Sequence, residues 1–303
     1  MPPTEEIITE EPCKCLRWAV SLQSGFEHSQ FERLYRKGVQ CITQEELDKL
    51  NKMRHQEDAL AALYGRLLLR EGTRRLTNCR WDDIILARTD RGKPYLVSPD
   101  NAPFSLNISH QGSYVAFASS CSTRVGVDVM RLDKERNSKS ADEYINSMAK
   151  SASDEELRQM RGQPTEAMKM TMFYRYWCLK EAILKATGEG IMKDLNRLDM
   201  RCNFNDRYRN GCFVTSTTVL EDGKPQRQWQ FEESFIDSNH SAAVCKERRI
   251  PPYCMFAKDN EAKLLFSKMS FEKLVEHASV INPLPVNAMQ AWDDFSQKPR
   301  KQF

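Results

Sequence analysis

The chain has 303 residues, 45 Lys+Arg against 42 Asp+Glu, a formal charge of +3 and a hydrophobic content of 40%. That balance is too mild to argue for nucleic acid, the length suits two domains better than one, and no apolar run approaches the roughly 18 residues of a membrane span. The first fourteen residues are acidic and carry no apolar core, so no secretory leader is expected. The ten cysteines lie at 13, 15, 41, 79, 121, 178, 202, 212, 245 and 254 without a C-x-x-C pair. Neither a zinc site nor a disulfide framework is expected from that spacing, and reduced, mostly buried thiols of a cytosolic protein are.

In chain order, residues 14–24 alternate Leu16, Trp18 and Val20 and predict a strand. Residues 43–52 predict a helix opened by a capping box of Thr43 and Glu46. Residues 56–71 predict an amphipathic helix through Leu60, Leu63, Leu67 and Leu68, stopped by Gly72. Residues 84–97 read as strand-turn-strand, and 104–109 with 113–119 as a second strand pair. A short apolar strand follows at 124–130, then a polar connection over 131–151 that is expected to be mobile. Pro164-Thr165 opens the longest helix, which ends at Gly188 and Gly190. Strands at 212–220 and 226–235 are joined by the turn Glu221-Asp222-Gly223-Lys224, and another strand is expected near 241–245. Beyond Ile250-Pro251-Pro252 only one short helix, around 270–278, is expected in an otherwise irregular tail. The order of elements predicts an α+β fold.

Four segments could carry chemistry. Arg88-Thr89-Asp90-Arg91-Gly92-Lys93-Pro94 puts three cations in a turn, which suits either a solvated hairpin tip or an anion site. Asn107-Ile108-Ser109-His110 places a hydroxyl and an imidazole at a strand end. Adjacent strand residues point to opposite faces, so Ser109 and His110 make a poor nucleophile-base pair, and a hydrolase reading fails. Asp128 sits within an apolar strand and needs a cap, an arginine or a metal as partner. Trp177, Glu181 and Lys185 are spaced four apart and share one helix face, as a surface ion pair or as a ligand-facing stripe.

Taken together and in this order, R-T-x-x-G-K-P, N-I-S-H, G-V-D and W-x-x-K-E-A-x-x-K-A resemble the Sfp-type 4′-phosphopantetheinyl transferases from about residue 15 to 250. The resemblance implies a pseudo-dimer of two similar α+β lobes with the active site between them. On that scheme residues 1–13 are a disordered N-terminus, 14–121 the N-terminal lobe, 122–250 the C-terminal lobe with the metal site, and 251–303 an extension. It implies transfer of 4′-phosphopantetheine from coenzyme A to a carrier-protein serine, with release of adenosine 3′,5′-bisphosphate. Arg88, Thr89, Asp90, Arg91, Gly92 and Lys93 would hold the nucleotide and 3′-phosphate end. Asn107, Ile108, Ser109 and His110 would line the same pocket, with Lys49 where the family often has an arginine.

Asp128 and Glu181 would hold Mg²⁺, Lys185 would meet the pyrophosphate, and these three would form the catalytic group. The base would be Glu181 or a water that it or Asp128 orients. Bacterial members commonly carry D-x-E where this chain has Asp128-Val129-Met130, so one potential ligand is missing; two carboxylates with water still suffice for Mg²⁺. Implied partners are carrier domains of fatty-acid-synthase, mitochondrial and aminoadipate-semialdehyde-dehydrogenase type. A cytosolic monomer without nucleic acid or membrane contact is expected. Arg131, Lys134, Arg136 and Lys139 are expected either to dock the carrier or to belong to a solvated loop, offset by Asp133, Glu135, Asp142 and Glu143. The alternative is a non-catalytic coenzyme A or carrier-binding module, against which the joint presence of Asp128, Glu181 and Lys185 argues.

Overall fold

The computed structural model describes residues 13–132, 140–190, 194–248, 266–283 and 285–301. The first strand, β1 (Arg17–Ser21), leads into a short helix, α1 (Leu22–Phe26), and then α2 (Phe31–Gln40). Next come α3 (Gln44–Asn51) and the long α4 (Gln56–Thr77). The capping box predicted for α3 is present: Thr43 accepts from the Glu46 amide, and the Glu46 carboxylate accepts from the Thr43 amide. Helix α4 does not stop at Gly72 but runs on to a left-handed cap at Asn78. Gly72 is needed there for another reason: a Cβ at this position would lie 2.4 Å from the Phe117 ring. The glycine is a packing notch rather than a stop.

Strands β2 (Ile85–Arg88) and β3 (Pro94–Ser98) form the predicted hairpin. β4 (Ser105–Gln111) and β5 (Tyr114–Ser120) form the second pair, and β6 (Val125–Arg131) follows. The connection after β6 is more ordered than expected. Residues 140–151 hold α5 (Ala141–Ser147), started by a Ser140–Glu143 capping box, and a single 3₁₀ turn. Lys134, Arg136 and Lys139 lie outside the described residues.

Helix α6 (Asp154–Arg161) precedes α7 (Glu166–Thr187), which starts at Thr165 and ends at Gly188 as predicted. β7 (Leu198–Arg201), β8 (Thr218–Glu221) and β9 (Lys224–Pro225) make a small sheet, in which Glu221 pairs with Lys224 across the predicted turn. The expected strand over 212–220 is thus confined to its last residues. Residue Val214 adds only a single bridge to Glu233. β10 (Trp229–Phe235) and β11 (His240–Glu247) follow.

The tail holds the short helix expected around 270–278 and more structure besides. Within its described part, β12 (Ser267–Met269), α8 (Phe271–Glu276) and α9 (Pro285–Ser296) fold back onto the start of the chain. β12 pairs in parallel with β1. Phe271, Leu274, Val275, Ala291 and Phe295 are buried in one apolar cluster with Leu34, Tyr35 and Leu60.

Two sheets organise the molecule: β12-β1-β5-β4 and β10-β11-β6. Helix α4 covers the first, burying Leu60, Leu63, Leu67 and Leu68 in a cluster with Trp18 and Phe117. Helix α7 packs against the second, joining Leu179, Ala182 and Ile183 to Phe231 and Cys245. The sheets abut where β4 meets β6, and the Val127 amide donates to the buried Asn107 Oδ1 at 3.1 Å. Asn107 therefore stitches one sheet to the other. Arg17 of β1 reaches the buried Glu232 of β10 at 2.8 Å, and Lys246 of β11 completes that ion group.

Candidate active site

The β4–β6 seam opens into a cleft of about 500 Å³. Its walls come from α4 (Ala62, Arg66), β4 (Ile108, Ser109, His110), β6 (Asp128, Met130) and α7 (Trp177, Glu181, Lys185), with Arg88 from β2 at one side. The stripe Trp177, Glu181, Lys185 thus faces a cavity and is not a solvated helix face. Helix α7 comes this close to β6 because of Gly126. A Cβ there would fall 2.1 Å from the Ala182 carbonyl oxygen and 2.3 Å from the Ala186 amide nitrogen.

At the floor, Lys185 Nζ donates to Asp128 Oδ1 at 2.6 Å and to Ser109 Oγ at 2.7 Å. Ser109 Oγ in turn donates to the same Oδ1 at 2.9 Å. Two donors, themselves hydrogen-bonded to each other, converge on one carboxylate oxygen. The other, Asp128 Oδ2, is buried and has no hydrogen-bond partner. An unsatisfied buried carboxylate oxygen is costly and marks a position where a cation would be held. Glu181 lies on the neighbouring helix face; burial first, and then the Asp128 charge, push its carboxyl above the usual range, with Lys185 acting in the opposite direction. Two carboxylates whose charges oppose each other across a cleft are the donor set expected of a hard divalent cation.

His110 stands at the rim with an exposed edge. The crowding of the cleft walls, and then the Lys185 charge, hold its imidazole below its ordinary value. Arg66, not singled out in the sequence, is the cation contributed by α4. Its Nη1 donates to the Ala62 carbonyl at 2.9 Å, and burial lowers its pKa. Its signal in the sequence was an arginine within the apolar helix pattern.

The remaining expected residues lie outside the cleft walls. Lys49 is exposed on α3 and pairs with Glu45 at 2.7 Å. In the 89–93 turn, the Gly92 amide donates to the Thr89 carbonyl at 2.8 Å, and the Lys93 amide to Thr89 Oγ1 at 3.2 Å. Asp90 is exposed at its tip. Arg91 donates to the Glu189 carbonyl. Lys93 Nζ donates to the Ala186 carbonyl at 2.5 Å, and burial pushes its pKa down to about 8. Both side chains therefore sit on the C-terminal end of α7, where cations meet the helix dipole.

A family model for the 4′-phosphopantetheinyl transferase N-terminal domain matches residues 29–122, and one for the 4′-phosphopantetheinyl transferase superfamily matches residues 124–245. The L-aminoadipate-semialdehyde dehydrogenase-phosphopantetheinyl transferase of Mus musculus is 32% identical over 250 residues, covering 80% of this chain and 78% of its own length. The Homo sapiens protein of that name is 33% identical over 237 residues, covering 76% and 74%. A phosphopantetheinyl transferase of Thraustochytrium sp. is 31% identical over 240 residues, covering 78% and 80%. The chain belongs to the 4′-phosphopantetheinyl transferase superfamily. It is a transferase that places phosphopantetheine on carrier proteins, and its similarity to the animal aminoadipate-type enzymes extends over most of its length.

Proposed function

We propose that this transferase takes its phosphopantetheine from coenzyme A in a Mg²⁺-dependent reaction and attaches it to a carrier-domain serine, releasing adenosine 3′,5′-bisphosphate. The carrying observation is Asp128 Oδ2, buried and unpartnered beside a Glu181 that Asp128 itself disfavours as an anion. Asp128 and Glu181 would hold the Mg²⁺, which supplies neutralisation of charge on the pyrophosphate. Ser109 and Lys185 fix Asp128 Oδ1 and so leave Oδ2 turned to the cation. Met130 lines the same wall without offering a ligand, so two carboxylates and water complete the set.

Lys185 would exchange part of its contact with Asp128 for a pyrophosphate oxygen, with Arg66 and His110 as further counter-charges around a polyanion. Arg88 leads from the cleft into the 89–93 turn, so Arg88–Lys93 is assigned to the nucleotide end, with Lys49 beyond it. The serine proton passes to Glu181, or to a water that it or Asp128 orients. The acceptors are carrier domains of fatty-acid-synthase, mitochondrial or aminoadipate-semialdehyde-dehydrogenase type, met by a cytosolic monomer.

The test is the mass of an apo acyl carrier protein after incubation with this chain and coenzyme A. A phosphopantetheine adduct should form with Mg²⁺ and not with a chelator present, and Asp128→Ala should abolish it. An unmodified carrier in all arms would overturn the reading.

A further inference from the structure

The cysteines are dispersed in sequence, yet three of them meet in space. Cys13 and Cys15 precede β1 and Cys121 follows β5. These strands are antiparallel with Arg17 opposite Ala118, so the approach to one lies beside the exit of the other. Cys13 and Cys15 are two apart, and both sulfurs turn to Cys121. Lys14 between them sends its ammonium to the Leu76 carbonyl at 2.9 Å. Cys13 Sγ is 4.0 Å and Cys15 Sγ 3.8 Å from Cys121 Sγ, and all three sulfurs lie within 4.8 Å of one another.

We propose that Cys13, Cys15 and Cys121 form a thiolate site for a thiophilic d¹⁰ cation of the Zn²⁺ type, separate from the carboxylate site in the cleft. Tetrahedral zinc with bonds of about 2.3 Å holds its sulfurs about 3.8 Å apart, close to the 4.0 and 3.8 Å that Cys121 Sγ already keeps from the other two. Soft thiolates select such ions over the hard Mg²⁺. Second-sphere support is in place: the Lys14 backbone amide donates to Cys121 Sγ at 3.1 Å, the type of contact that orients and tunes metal ligands. On binding, the three thiols release their protons to solvent and the cation takes their place.

The site lies away from the chemistry. β5 carries Val115 on the cleft wall, and six residues of strand at about 3.3 Å each separate it from Cys121. The ion therefore clamps the chain before β1 to the 121–124 turn, which leads directly into β6 and its Asp128.

The experiment uses the reduced full chain, stripped of metal and titrated with Co²⁺ as a spectroscopic probe, then with Zn²⁺ against a chromogenic chelator. One equivalent of Co²⁺ should give a thiolate charge-transfer band in the near ultraviolet. Zn²⁺ should bleach it, and excess Mg²⁺ should not. Cys121→Ser should remove the band and weaken Zn²⁺ binding by at least about 100-fold, beyond the effect of losing a second-sphere partner. Cys13→Ser should do the same from a half-buried position outside any strand, which guards against misfolding of the first variant. Cys79→Ser should leave both readouts unchanged. Absence of the band, or its survival in both Cys13→Ser and Cys121→Ser, overturns the proposal. Carrier modification is measured separately and does not enter this outcome.

Discussion

Single side chains set the chemistry of the cleft, and Glu181 shows the trade between stability and function. Its folded pKa is raised by burial and by Asp128. A raised carboxyl contributes stability that is fully present below the unfolded value and is lost as pH rises through the folded value. Above the unfolded value the Glu181 carboxyl therefore works against the fold. Glu181→Gln should melt at a higher temperature than the parent at pH 7.5, with the difference closing toward pH 4, while losing transfer activity. Mg²⁺ should raise the melting temperature of the parent and not that of the variant. Thermal scans at several pH values, with and without Mg²⁺, check both statements. Arg66 tests the counter-charge argument: Arg66→Ala should raise KM for coenzyme A by about 10- to 100-fold, the loss of one charge-assisted hydrogen bond, with a smaller change in kcat. An unchanged KM would remove Arg66 from the binding surface.

Elements hold these side chains in place, and the α7–β6 contact matters most. Cys178 Sγ donates to the Asp128 carbonyl at 3.3 Å, one turn before the Glu181–Lys185 stripe. Gly126 allows backbone to touch backbone, since all three atoms a Cβ would strike belong to the main chain of α7. No side chain can move aside to relieve that overlap. Gly126→Ala should cost about 3 kcal/mol or more, at or above the usual range for overpacking. It should also displace α7 from β6, so that protein which still folds has lost the Lys185–Asp128 contact and most of its activity. Denaturant unfolding together with the carrier assay distinguishes this from a purely local change. Helix α4 shows how an element can be misread: Gly72 has the composition of a stop, but here it admits the Phe117 ring and the helix continues.

The whole molecule is closed by interactions between residues far apart in sequence. Glu232 is buried between Arg17 and Lys246 and ties β10 and β11 to β1. Burial alone would raise its pKa; the two cations outweigh that and hold it below the ordinary carboxylate range. Its contribution is present above the unfolded value and is lost as pH falls through the folded one. Glu232→Gln removes the anion that two buried cations share and should cost about 3–5 kcal/mol at neutral pH. The penalty should shrink in acid, where the parent carboxylate is also protonated; stability curves against pH for the two proteins check this. The tail is part of the same closure. Phe295 stacks on Tyr35 with ring centroids 4.3 Å apart, and both are buried.

What the sequence determined by itself was local or compositional. Thr43–Glu46, Thr165 and Gly188 mark helix ends because capping depends on neighbours a few residues away. The order of R-T-x-x-G-K-P, N-I-S-H, G-V-D and W-x-x-K-E-A marks the family because it is a linear pattern. The tertiary structure decided everything that needs two distant segments in one place. Only it takes Lys93 and Arg91 to the end of α7, leaves Asp128 Oδ2 without a partner, and adds Arg66 to the cleft. It also folds the tail beyond residue 266 into the first apolar cluster, although the composition of that tail reads as irregular. The joining of Cys121 to the neighbouring Cys13 and Cys15 has the same origin, since strand pairing brings together residues more than a hundred positions apart.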